Sequence, residues 1–150
     1  MAKVGIFETA PRQYFPYDVD TEVELEFINK ERMGKIVKKA EEIARKMKQP
    51  QGAIFDMLLG KAAVTNWRHK NRTEHPDHPG LVLPSGAPIA FTAENRDMLM
   101  QRCAEFSGFV FSRCTDSAGY LAEDEAPVDQ KSLSQLIAEI DLEDEPEKNG

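Results

Sequence analysis

Cysteine is scarce in this 150-residue chain: only Cys103 and Cys114 occur. That excludes the disulfide framework of a small secreted scaffold, and their apolar surroundings point to buried, reduced thiols. Long apolar runs are missing too. None approaches ~18 residues, so no membrane-spanning helix is expected. The first fifteen residues, MAKVGIFETAPRQYF, lack the long apolar core and small-residue cleavage site of a signal peptide. The cytoplasm is therefore the expected compartment. Positive charge is in deficit, with 19 Lys/Arg against 26 Asp/Glu and a net charge of −7. A dedicated nucleic-acid binder draws its affinity from neutralising phosphates, so neither nucleic acid nor membrane is an expected partner.

Catalytic patterns are equally absent. There is no glycine-rich phosphate cradle and no nucleophile elbow, and both cysteines follow all three histidines. Carboxylates are so abundant that a paired-acid site leaves no distinguishable signal. A non-enzymatic protein without a cofactor is the expectation.

What the chain has is length for one domain and a sharp division of charge. Lys30 to Lys48 holds eight Lys/Arg against three Glu, whereas Asp116 to Gly150 holds eleven Asp/Glu against two Lys. The expected fold class is α+β, mainly helical, with an N-terminal β-hairpin and a short β-turn element before the third helix. Residues 1–140 form one domain in this reading, and 141–150 an acidic disordered tail.

KVGIF (3–7) and VELEFI (23–28) read as strands. In the second, Val23, Leu25 and Phe27 alternate with Glu24 and Glu26. Pro11, Pro16 and DVD punctuate the region between them. Met33, Ile36, Val37, Ala40, Ile43, Ala44 and Met47 fall at helical spacing, which predicts an amphipathic helix over 30–48 with Asn29 as N-cap. QPQG ends it. A second helix is expected from Ala53 to Trp67 with Gly60 allowing a close approach. Leu81-Val82-Leu83 and Ile89-Ala90-Phe91 flank the turn signal Pro84-Ser85-Gly86 and can pair. Thr92 should cap a third helix, carrying Met98, Leu99, Cys103 and Phe106, that breaks at Ser107-Gly108. A last short amphipathic helix is expected over 129–140, through Leu133, Leu136, Ile137 and Ile140. The expected core comprises Phe27, Ile36, Val37, Ala40, Ile43, Ile54, Leu58, Trp67, Phe91, Leu99 and Phe106.

Two patterns invite a functional reading from the residues themselves. His69, His75 and His78 fall within HKNRTEHPDHPG, with Glu74 and Asp77 beside them. The H-x5-H-x2-H spacing matches neither a zinc helix nor a zinc finger, and Pro76 and Pro79 oppose a helix there. A polar loop is the expectation, with a metal-binding domain or metal-dependent enzyme as its alternative. Second, Phe106, Phe109 and Phe111 cannot all share one helix face. Phe109 and Phe111 are the candidate aromatic contacts for a partner. Lys35, Lys38, Lys39 and Arg45 form a candidate basic face, through which a generic adaptor would bind an acidic partner.

The segments NWR and SGAPIAFTAENRDML resemble the tail assembly chaperones of long-tailed bacteriophages and prophages. The residues carrying the resemblance are Trp67, Gly86, Pro88, Ile89, Phe91, Thr92, Asn95 and Leu99. The histidine loop is an insertion relative to that pattern. The resemblance implies a protein of the bacterial host cytoplasm that binds and solubilises the tape-measure protein during tail assembly and is absent from the mature virion. It also implies possible self-association, and a longer frameshifted product that recruits the tail-tube protein. Glu147-Lys148-Asn149 can be encoded GAA-AAA-AAC, which contains an A-AAA-AAC slippery heptamer.

Overall fold

The computed structural model describes residues 1–121. Its fold is α+β: a three-stranded antiparallel sheet, in the order β1-β2-β3, packed against helices. The elements are β1 (Arg12–Pro16), β2 (Thr21–Glu26), α1 (Lys30–Met47), α2 (Gln51–Ala63), β3 (Val64–His69), α3 (Ala93–Arg102), α4 (Ala104–Cys114) and a single turn, α5 (Ala118–Leu121). The expected helix over 129–140 and the acidic tail lie outside the described residues.

Strand β2 is the centre of the molecule. Thr21, Val23 and Leu25 point into the core and are fully buried. Glu22, Glu24 and Glu26 point the other way, and each carboxylate finds a partner. Arg68 pairs with Glu22 at 2.6 Å, Thr65 Oγ1 donates to Glu24 at 2.8 Å, and Glu26 takes Arg12 at 3.0 Å and Arg32 at 2.6 Å. Arg12 and Arg68 stand directly across the ladders from Glu26 and Glu22. A one-residue slip would bury the glutamates, so alternation fixes the register.

The first strand is not KVGIF. Residues 3–7 form no strand, although Phe7 packs edge-on against Phe27 at 5.2 Å. β1 is instead RQYFP, in the stretch expected to be turn. Its one proline, Pro16, is tolerated because β1 is an edge strand and Pro16 ends it. Phe15 supplies its core side chain.

Helix α1 follows its expected span. Asn29 caps it by accepting from Arg32 N–H, and Lys48 closes it in the left-handed region at φ 54°. Ile36 and Ala40 are buried, but Val37 is 36% exposed, which removes it from the expected core. α1 rests on the fold along a narrower stripe than its apolar residues span.

The second helix ends earlier than expected. α2 stops at Ala63 and passes without a loop into β3, so Trp67 lies in a strand. Register shifts between Glu24 and Leu25, leaving Thr65 as the extra residue of a β-bulge. The bulge puts Val64 and Trp67, three residues apart, on the same buried side. Three-residue spacing is what a helix would show, hence the misreading. Leu59 and Ala63, absent from the expected core, are fully buried in α2. Gly60 does permit a close approach, by the Met100 side chain: a Cβ there would lie 2.5 Å from Met100 Cγ.

The break in the C-terminal helices also moves. Cys103, with φ −116° and ψ 100°, separates α3 from α4, and Ser107 and Gly108 lie inside α4. The turn buries Phe106, Val110 and Cys114 against the sheet. Ile28 N–H donates to Cys114 O at 2.8 Å, tying the end of α4 to the chain between β2 and α1.

Burial pushes the Cys114 thiol up to about 12 from 9.0, and the Tyr17 phenol up to about 12 from 10.0. Burial raises Tyr120 as well, and its hydroxyl has no hydrogen-bond partner among the described residues. The unfolded chain therefore releases these protons first. Above pH 9 it holds fewer protons than the folded chain, and stability falls as pH rises. The melting temperature should decline progressively above that pH. Cys114→Ala should flatten part of the decline, by up to about 1.4 kcal/mol per pH unit. A thermal melt series from neutral to strongly alkaline pH checks this; equal slopes for the two proteins would refute the assignment to Cys114.

Candidate functional site

Trp67 is the anchor of the first candidate region. Its indole is 2% exposed, and Nε1–H donates to Ile89 O at 2.7 Å. The Phe91 ring meets it edge-on at 4.9 Å, and Phe106 at 5.9 Å. Between β3 and α3 the chain makes a small hairpin. Val82 bridges Pro88, and Leu83 N–H donates to Ala87 O at 2.8 Å. Gly86, at φ 94°, supplies the positive dihedral the turn needs. Leu81–Leu83 and Ile89–Phe91 therefore come together, through a single bridge rather than two full strands.

The next residues start α3. Thr92 Oγ1 accepts from Asn95 N–H at 3.0 Å, and Asn95 Nδ2 donates back to Ala90 O at 2.8 Å. Leu99 lies half-buried against the core. Trp67, Gly86, Pro88, Phe91, Thr92, Asn95 and Leu99 thus belong to one unit that locks β3, the hairpin and α3 together. Each acts as scaffold: it packs, turns or caps.

The histidine loop is built differently. The structure brings the three imidazoles together, with ring centroids 4.4 Å apart for His69 and His75, 5.5 Å for His69 and His78, and 6.3 Å for His75 and His78. Asp18, Asp20 and Glu74 line the same depression. Yet His69 Nδ1 accepts from Asn71 N–H at 3.0 Å, and His78 Nδ1 from Gly80 N–H at 2.9 Å. An imidazole whose Nδ1 accepts in this way carries its neutral-form proton on Nε2, so ligation through either nitrogen would cost that hydrogen bond. Among the described residues, no group of three or more His, Cys, Asp or Glu is placed to hold a metal ion. These side chains instead help to turn the loop onto the sheet. It ends at Gly80, whose carbonyl accepts from Thr21 Oγ1 at 2.8 Å. A Cβ on Gly80, at φ 94°, would lie 2.8 Å from Arg68 O.

The partner candidates divide. Phe109 turns inward, its ring against Tyr17 at 5.0 Å. Phe111 is 47% exposed, with one edge toward Phe55 at 6.3 Å. Lys35 and Lys39 face a groove of about 360 Å³ between α1 and α2. Its floor is Ile36, Leu58 and Ala62, and Lys61 of α2 and Arg32 complete its rim. Lys38 and Arg45 are exposed but do not line it. Sequence reasoning missed Lys61, the single cation of α2; only the α1–α2 packing brings it to the other two. Lys35, Lys39 and Lys61 make no ion pair among the described residues, whereas Arg32 is held by Glu26 and by Ala62 O.

Compared with known proteins, the chain matches no family model, no curated protein and no solved structure.

Two outcomes test these assignments. Trp67→Phe keeps most of the apolar volume but leaves Ile89 O unpaired, and should cost about 1–3 kcal/mol in a denaturant titration. A loss below a few tenths of a kcal/mol would remove Trp67 from its anchoring role. Elemental analysis of untagged protein should find no stoichiometric zinc. Stoichiometric zinc lost on His75→Ala/His78→Ala would overturn the hydrogen-bonded reading of the loop.

Proposed function

We propose that this chain is a tail assembly chaperone of a long-tailed bacteriophage or prophage, acting by binding rather than by catalysis. The observation that carries the reading is the unit around Trp67. The residues on which the resemblance rests, from Trp67 through Leu99, serve one connected piece of architecture.

The surface supports the same reading. A helical client with an apolar stripe needs a groove with an apolar floor, and charge at the rim orients it. The α1–α2 groove has both, and exposed Phe111 offers a separate aromatic contact. In this reading the client is the tape-measure protein, several copies coat it, and a longer frameshifted product recruits the tail-tube protein. A generic adaptor for an acidic partner is the second reading, favoured by Lys35, Lys39 and Lys61, which make no ion pair among the described residues.

Co-expression with a phage tape-measure protein, the client this reading predicts to be encoded by a neighbouring gene, tests the proposal. The soluble fraction of that protein should rise severalfold. Phe111→Asp should reduce the gain while leaving the chaperone's own melting temperature nearly unchanged, because the side chain is half-exposed. A client equally insoluble with and without this chain would reject the proposal.

A further inference from the structure

Helices α1 and α2 are joined by only three residues, Lys48 to Pro50, and pack as an antiparallel pair. Arg32 Nη2, near the start of α1, donates to Ala62 O, near the end of α2, at 3.4 Å. The groove of about 360 Å³ lies between them, with Ile36, Leu58 and Ala62 as its floor. Its charge is of one sign. No Asp or Glu occurs from Arg32 to Ala40 on α1, or from Met57 to Ala63 on α2. Arg32 is already engaged, since Glu26 holds it at 2.6 Å. Lys35 and Lys39, one turn apart on α1, and Lys61 on α2 are exposed and make no ion pair among the described residues.

These features define what fits. Both walls are helices, whose backbone groups bond within each helix, and Arg32 takes the Ala62 carbonyl. The groove therefore offers no ladder to an extended strand. An occupant must satisfy its own backbone hydrogen bonds, as a helix does. The volume takes a few apolar side chains and not a whole helix. An apolar stripe can enter it while the flanks of that helix stay at the rim, beside the lysines. Lys35 and Lys39 stand about 6 Å apart along α1, so carboxylates one turn apart on the occupant match them. Lysines at the same places would be repelled, so the rim also selects against basic amphipathic helices.

We propose that the α1–α2 groove binds an acidic amphipathic helix of a partner protein, one whose apolar stripe is flanked on both sides by Asp or Glu. The stripe packs on Ile36, Leu58 and Ala62, and the carboxylates meet Lys35, Lys39 and Lys61. Burial of the stripe supplies most of the affinity. Ion pairs at an exposed rim are individually weak and screened by salt, so their part is to decide which helix is accepted. That the helix belongs to a tape-measure client rests on the chaperone reading; the preference for acidic flanks does not.

Fluorescence anisotropy with the full chain and labelled synthetic peptides tests the preference. The probe carries leucines at helical spacing with glutamates on both flanks; its controls carry glutamines or lysines there instead. At about 0.15 M salt, the glutamate peptide should bind on the order of tenfold tighter than the glutamine peptide, and the difference should vanish at about 1 M salt. Lys35→Glu/Lys39→Glu/Lys61→Glu should invert the order and favour the lysine peptide, a gain that an unfolded variant would not show. Lys38→Glu/Arg45→Glu, outside the groove, should leave the order as it was. Equal binding of the glutamate and glutamine peptides overturns the proposal, and so does an order that survives the triple reversal. A single-stranded oligonucleotide that binds tighter than the glutamate peptide also overturns it, making the rim a phosphate site. A client that stays insoluble in co-expression would reject the chaperone reading and leave the peptide result standing.

Discussion

The burial of one indole holds the described fold in register. Trp67 reaches from β3 to the hairpin carbonyl of Ile89 and to the rings of Phe91 and Phe106. It can do so only because Thr65 is bulged out of the ladder with β2, which turns Trp67 to the same side as Val64. Without that extra residue, the two side chains would fall on opposite faces, and Trp67 would stand among the charges of the outer face. The hairpin geometry and the start of α3 follow from this placement.

Charge organisation follows a second constraint. The three glutamates of β2 are compensated across the sheet and by α1, so the outer sheet face is electrostatically closed. Lys35, Lys39 and Lys61 of α1 and α2 have no such compensation within residues 1–121, and they gather beside an apolar floor. Individually such lysines are ordinary solvated residues. Three of them converging on exposed apolar surface form a feature that a partner segment of opposite pattern can use.

Local signals were legible wherever one side-chain pattern answered to one local geometry. Asn29 and Thr92 cap the helices that their positions announce, and Val23 and Leu25 alternate with glutamates as a half-buried strand must. Gly86 sits at the turn for the dihedral it alone adopts readily. Legibility failed where a long-range partner decided the outcome. RQYFP is a strand because β2 offers it an edge, and KVGIF is not because no neighbouring strand receives it. Val37 fits the helical stripe but is left 36% exposed within residues 1–121. Phe109 and Phe111 are alike in sequence terms, yet only Phe109 meets Tyr17.

By itself, then, the sequence determined the α+β class, the caps, the turn glycine and the separation of basic helix from acidic C-terminal stretch. These depend on periodicity, on a residue's own dihedral preference or on composition, all of which are properties of neighbours along the chain. Only the tertiary structure decided that the chain after Ala63 becomes a bulged strand, that His69 and His78 turn a loop with their own lone pairs, and that Lys61 joins Lys35 and Lys39. Each of these depends on groups distant in sequence meeting in space, where burial and hydrogen-bond satisfaction override local preference.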